Sequence, residues 1–105
     1  MADINLVALT RAYVTDLTER PLRASLRRIA ICDDIQGDYT VLTVGWDGPK
    51  RVVGVTLLVS ISNNQIAIHH DGTPGFADYL IAHGVPEESI AITFHAPHTP
   101  ERIAA

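Results

Sequence analysis

Hydrophobic residues recur along this chain with two different periods. Near the start they fall three or four apart, so that Leu6, Leu9, Tyr13 and Leu17 share one helical face. Asp3 is placed to cap this helix, which runs to about Glu19, and Pro21 stops it. Ile4, Val7 and Val14 lie off the stripe, so the apolar surface is broader than one core contact needs. Beyond Ser25 the period falls to two. "SLRRIAICDD" puts Ile29 and Ile31 on one face and Leu26, Ala30 and Cys32 on the other. "DYTVLTVGW" sets Val41 against Leu42 and Val44. "RVVGVTLLVSIS" places Val53, Val55, Leu57, Val59 and Ile61 on one face, with Val52, Gly54, Thr56, Leu58 and Ser60 opposite. "QIAIHH" closes the series. β-branched residues dominate these segments, which predicts strands.

The breaks between them carry hairpin chemistry. Asn63-Asn64 can supply the two positive φ angles of a two-residue turn. Trp46-Asp47-Gly48-Pro49 and Gln36-Gly37-Asp38 are the other turns. After the strands, Thr73 and Pro74 form an N-cap and first-turn pair for a helix presenting Phe76, Ala77, Leu80 and Ile81. Gly84 is its left-handed cap, with Val85 folding back onto the last turn. Pro86-Glu87-Glu88-Ser89 reads as one helical turn, "IAITF" as extended, and "HAPHTPERIAA" as a proline-broken tail. The expected fold is α+β: an N-terminal helix, a four-stranded antiparallel meander, a second helix and a short C-terminal extended segment. Both helices should lie on one sheet face. The other face of such a sheet is normally polar. Here it is only half polar, so something should cover part of it, most simply another subunit.

The chain has 105 residues, enough for one domain, 1–105, and 47% of them are hydrophobic. Cys32 is the only cysteine, which suits a reducing cytoplasm. No apolar run approaches the roughly 20 residues of a membrane span, and the N-terminus lacks a signal-peptide pattern. The formal charge is −4. Binding to a duplex draws most of its energy from Lys and Arg, and only Arg20, Arg23, Arg27 and Arg28 cluster, so direct nucleic-acid binding is not expected. G-x-S-x-G, Walker A and G-x-G-x-x-G motifs do not occur.

"VGWDGPKRVVG", "NNQIAIHHDGT" and "HGVPEESIAITFHAP" together resemble the XisI family, the fdxN-element excision controlling factors of cyanobacteria and their homologues. The elements match in order from about residue 10 to Pro97, through Trp46, Arg51, Gly54, Asp71-Gly72-Thr73, Gly84, Pro86 and Phe94-His95. The chain is a divergent member of the pattern. Leu58 stands where the family has His, Ser60 where it has Asp, Ala67 where it has an aromatic, and His69-His70 where it has Gln-Arg. The resemblance implies an accessory role in site-specific excision. It also implies a XisH-like partner with an endonuclease-like look.

Several side chains could carry chemistry or contact. His69-His70-Asp71 ends a strand, and neighbours on a regular strand point to opposite faces, which separates the two imidazoles as metal ligands. In the family an Arg stands at position 70, so a positive group at an interface rim is the reading for His70. His95 and His98 could converge with His83 or Asp78. Cys32 should be an inert core thiol beside Asp33 and Asp34. Trp46 should cover one end of the core, or else be an exposed anchor with Arg51. The expected role is that of a non-catalytic, self-associating regulatory subunit. It would bind a XisH-like protein through Trp46, Arg51, His70 and Asp71, without metal or cofactor. The competing readings are a metal-dependent hydrolase using His70, Asp71 and His95, and an antitoxin-like inhibitor of a nuclease partner.

Overall fold

The computed structural model describes residues 5–23, 25–73 and 75–93. Helix α1 spans Leu6–Glu19. Its N-cap is Asn5, whose side-chain oxygen accepts the Ala8 N–H at 3.0 Å. Asp3, expected in that role, lies outside the described residues. Strands β1 (Leu26–Asp33), β2 (Asp38–Asp47), β3 (Lys50–Ser62) and β4 (Gln65–Asp71) form the expected antiparallel meander. Asn63 and Asn64 hold φ of 52° and 59°, the geometry of a two-residue type I′ turn.

Helix α2 (Phe76–Ala82) then carries the chain back along the sheet. A single 3-10 turn, Glu87–Ser89, leads into β5 (Ile90–Ile92), which pairs parallel with β4. The extended segment is therefore a fifth strand. A parallel neighbour needs a crossover connection, and α2 provides it. Gly84 caps α2 at φ 92°, and the Val85 N–H reaches the Leu80 carbonyl at 3.0 Å, burying the valine.

One hydrophobic cluster joins both helices to one face of the sheet: Leu6, Val14 and Leu17 from α1, Phe76 and Leu80 from α2, and Tyr39, Val41, Leu57, Val59, Ile66 and Ile68 from the strands. Cys32 packs against this cluster, half-buried. At the β1–β2 turn, Asp34 ties the helix to the sheet. It accepts hydrogen bonds from Arg11 of α1 at 3.2 Å and from the Tyr39 hydroxyl at 2.7 Å. Burial, then the hydrogen bond to Asp34 and its charge, push the Tyr39 phenol up to about 12.

The single period-two stripe expected for β3 does not hold. Val41 faces Leu57, but its neighbour Leu42 faces Val55, so β3 carries an extra residue, Thr56, at this point. The bulge inverts the alternation. Leu57 and Val59 are fully buried, whereas Val53 is 67% and Val55 44% exposed. A second bulge lies between β3 and β4, where Leu58 pairs with His70 and Val59 with Ile68.

Gly45 marks the closest backbone approach. It holds φ +139°, and a Cβ there would lie 1.9 Å from the Ser25 carbonyl oxygen. Gly45→Ala should therefore cost about 1–3 kcal/mol in urea unfolding, whereas Gly54→Ala, with nothing within 4 Å, should stay within about 0.5 kcal/mol. Tyr39 supplies a pH test. Its folded value lies above the ordinary 10, so its contribution is complete below pH 10 and fades as pH rises towards 12. Urea midpoints should fall across that window in the wild type, and less steeply in Tyr39→Phe.

Candidate functional site

Residues directly opposite on antiparallel strands share a face. The register therefore defines the sheet's outer side, the one without helices. One row runs Ile29–Leu42–Val55, the next Arg27–Val44–Val53, and Trp46–Arg51 continues it towards the hairpin tip. On the other flank lies Ile31–Thr40–Leu58–His70. Ile31 is 51% exposed, and Ile29, Leu42, Val44 and Leu58 are half-buried with no helix of the described residues above them. This face thus carries an apolar run across three strands, edged by two arginines and a histidine.

Three of the four sequence-predicted contact residues lie on it. Trp46 is 49% exposed and does not cover the core. The Arg51 guanidinium sits 5.5 Å from its ring centroid and donates to the Gly45 carbonyl at 3.3 Å, so the two side chains brace each other at the surface. Beside them is an open depression of about 260 Å³, lined by Ser25, Leu26, Arg27, Val44, Gly45 and Arg51. His70 is exposed opposite Leu58.

Asp71 pairs with Leu57 and turns inwards. One carboxylate oxygen accepts the Thr73 N–H at 2.9 Å and the Thr73 hydroxyl; the other accepts the Phe76 N–H at 3.0 Å. Thr73, having given its proton to Asp71, accepts from the Tyr13 hydroxyl at 2.8 Å. Asp71-Gly72-Thr73 is thus a relay joining the end of β4, the start of α2 and the middle of α1. It also corrects the helix start. The backbone N-cap is Gly75, and the capping carboxylate comes from Asp71 instead of Thr73. Pro74 lies outside the described residues.

The second bulge changes the reading of the paired histidines. Both belong to the widened segment opposite Leu58, so both face outwards instead of splitting across the sheet. His69 is held on both sides, with Nδ1 2.8 Å from the Thr93 hydroxyl and Nε2 3.0 Å from the Ser60 hydroxyl. Ser60 donates to Asp38 at 2.7 Å. A Ser–His–acid relay for acyl transfer needs the acid on the ring nitrogen away from the serine. Here Asp38 is on the serine, and a threonine occupies that nitrogen. His70 and Asp71 point to opposite sides, so the pair does not converge as the hydrolase reading requires. Among the described residues no three His, Cys, Asp or Glu side chains come together as a metal site. His83 is exposed, its ring tilted against Tyr79 at a centroid distance of 4.4 Å, and bonded to the Tyr79 carbonyl; His95 and His98 lie outside the described residues.

The arginine cluster is also dispersed. Arg20 pairs with Asp16 at 2.6 Å, Arg23 pairs with Asp47 at 3.2 Å, and Arg28 turns inwards to the Leu17 carbonyl at 3.3 Å. Among the described residues no helix is long and apolar enough to cross a membrane.

These features define a small α+β protein in which, among the described residues, the helices cover one sheet face only. The XisI protein family profile matches residues 7–103, and the chain belongs to that family. It is similar to the crystal structure of fdxN element excision controlling factor XisI from Anabaena variabilis ATCC 29413, at 26% identity and a TM-score of 0.71, over 91% of this chain and 92% of that one. It also shares the fold of a XisI-like protein from Anabaena variabilis ATCC 29413, at 23% identity and a TM-score of 0.73, over 92% of this chain and 87% of that one. No curated protein matches the chain.

Leu58, Ser60, Ala67, His69 and His70 meet on the outer face. Leu58 pairs with His70, Ser60 pairs with Ala67, and Ser60 is bonded to His69. Sequence reasoning missed Val53 and Val55 as surface residues, because it assigned them to the buried stripe of Leu57 and Val59. Nothing in the Val-Thr-Leu run itself announces the extra residue. Asp71→Ala should lower unfolding stability by about 1–3 kcal/mol in urea denaturation, because three donors at the α2 entry lose their acceptor. Thr73→Ala should lose less, since Phe76 keeps its cap.

Proposed function

We propose that this protein is a non-catalytic excision controlling factor, acting in the cytoplasm by contact with a XisH-like, nuclease-fold partner. The observation that carries this reading is the outer sheet face, where Val53 is 67% exposed and Val55 44% with no element of the described chain above them. Burying such side chains against a partner gains roughly 25 cal/mol per Å² of apolar surface. Trp46 and Arg51 stand at one rim, and these are the two residue types most often found as binding hot spots. His70 stands at the other rim. Asp71 is left out of the contact surface, since its carboxylate is occupied by the α2 cap.

Family membership and the likeness to the Anabaena controlling factor support the functional class. The test is titration of the purified chain against a XisH-like protein from the same genome. Val53→Asp and Trp46→Ala should each weaken binding at least tenfold, about 1.4 kcal/mol, with an unchanged far-UV circular dichroism spectrum. Full-strength binding by both variants would remove this face from the contact.

A further inference from the structure

We propose that the edge of β1 pairs antiparallel with β1 of a second copy of this chain, with a two-fold axis at Ala30. β1 is the end strand of the sheet, and among the described residues no strand lies beyond it. The Trp46 N–H donates to the Ser25 carbonyl at 2.9 Å, which fixes the hydrogen-bonding phase of the β1–β2 ladder. In an antiparallel ladder, alternate residues turn both backbone groups to the same neighbour. Arg27, Ile29 and Ile31 therefore bond β2, and Arg28, Ala30 and Cys32 aim their N–H and C=O groups outwards.

The side chains select the register. Centred on Ala30, the pairing sets Ile29 against the second copy's Ile31, and Arg27 against the second copy's Asp33. Centred on Ile29, it would set Arg27 against Ile31. Centred on Ile31, it would set Ile29 against Asp33. Only the Ala30 centre matches opposite charges and apolar residues at once. The groups are also ready. Arg27 is exposed and forms no ion pair among the described residues. Asp33 uses only Oδ1 in its turn, accepting the Ile35 and Gln36 N–H groups. Edge strands are usually blocked by lysine, proline or a single sign of charge. This one is bare at Ile29-Ala30-Ile31, with basic residues at one end and acidic ones at the other, so it complements itself. The product is a ten-stranded sheet whose two outer faces run together.

The inference stands apart from the XisH-like contact, and sedimentation equilibrium of the full chain tests it. The wild type should be a dimer that weakens as salt is raised. Ala30→Pro removes an outward N–H that an edge strand does not need, so it should be monomeric with an unchanged circular dichroism spectrum. Arg27→Asp sets like charges opposite each other. It should dimerise at least tenfold more weakly and regain strength with salt, the reverse of the wild type. A monomeric wild type, a dimer that survives Ala30→Pro, or an unreversed salt response overturns the proposal. Val53→Asp should leave the dimer intact. A monomer that still binds a XisH-like protein defeats this inference alone, and a dimer that does not bind one defeats only the reading above.

Discussion

Opposite Val41, strand β3 spends two residues, Thr56 and Leu57, where β2 spends one. Side chains alternate along a strand, so one extra residue reverses every position on its far side. Without it, Val53 and Val55 would continue the buried stripe of Leu57 and Val59. With it, they stand beside Ile29, Leu42 and Val44 on the side that carries no helix. The second bulge acts in the same way at the other end of the sheet, holding His69 and His70 together on that side and leaving Asp71 to turn inwards. The core and the outer surface are thus set by the same two insertions.

The inward turn of Asp71 has its own structural use. A short helix such as α2 has four N-terminal N–H groups to satisfy, and its backbone N-cap, Gly75, has no side chain to do so. The Asp71 carboxylate supplies the acceptor from five residues upstream. Through Thr73 it reaches the Tyr13 hydroxyl, and the rings of Tyr13, Phe76 and Tyr79 pack at centroid distances of 4.8 to 6.1 Å. Two helices far apart in sequence are thereby fixed to one another as well as to the sheet. Asp71-Gly72-Thr73, part of the sequence resemblance to the family, is in this chain a joint between elements.

The parts of the fold that follow from local rules were legible in the residues. Asn63-Asn64, Gly84 and the period-two runs dictate turn, cap and strands through backbone sterics alone. Four features were not. A bulge inserts one residue of ordinary strand type, and Val-Thr-Leu reads the same with or without it. The true cap of α2 comes from outside the helix, so the first suitable residue, Thr73, attracted the assignment. Trp46 in sequence fits either a core cover, since large aromatics bury well, or a surface anchor beside Arg51, and residue type alone does not choose between them. Its cross-strand partner, Arg51, offers the ring an alternative at the surface. The parallel placement of β5 depends on where α2 returns the chain, a tertiary matter that a short Ile-Ala-Ile run cannot announce.

Among the described residues the sheet has unequal margins: eight residues in β1 at one side, three in β5 at the other. Growth of a sheet into a fibre requires a chain to present two different margins that fit head to tail. In the pairing proposed above the β1 margin is used up when two chains meet, and what the described residues leave over is only the short β5. The architecture therefore favours assembly that stops.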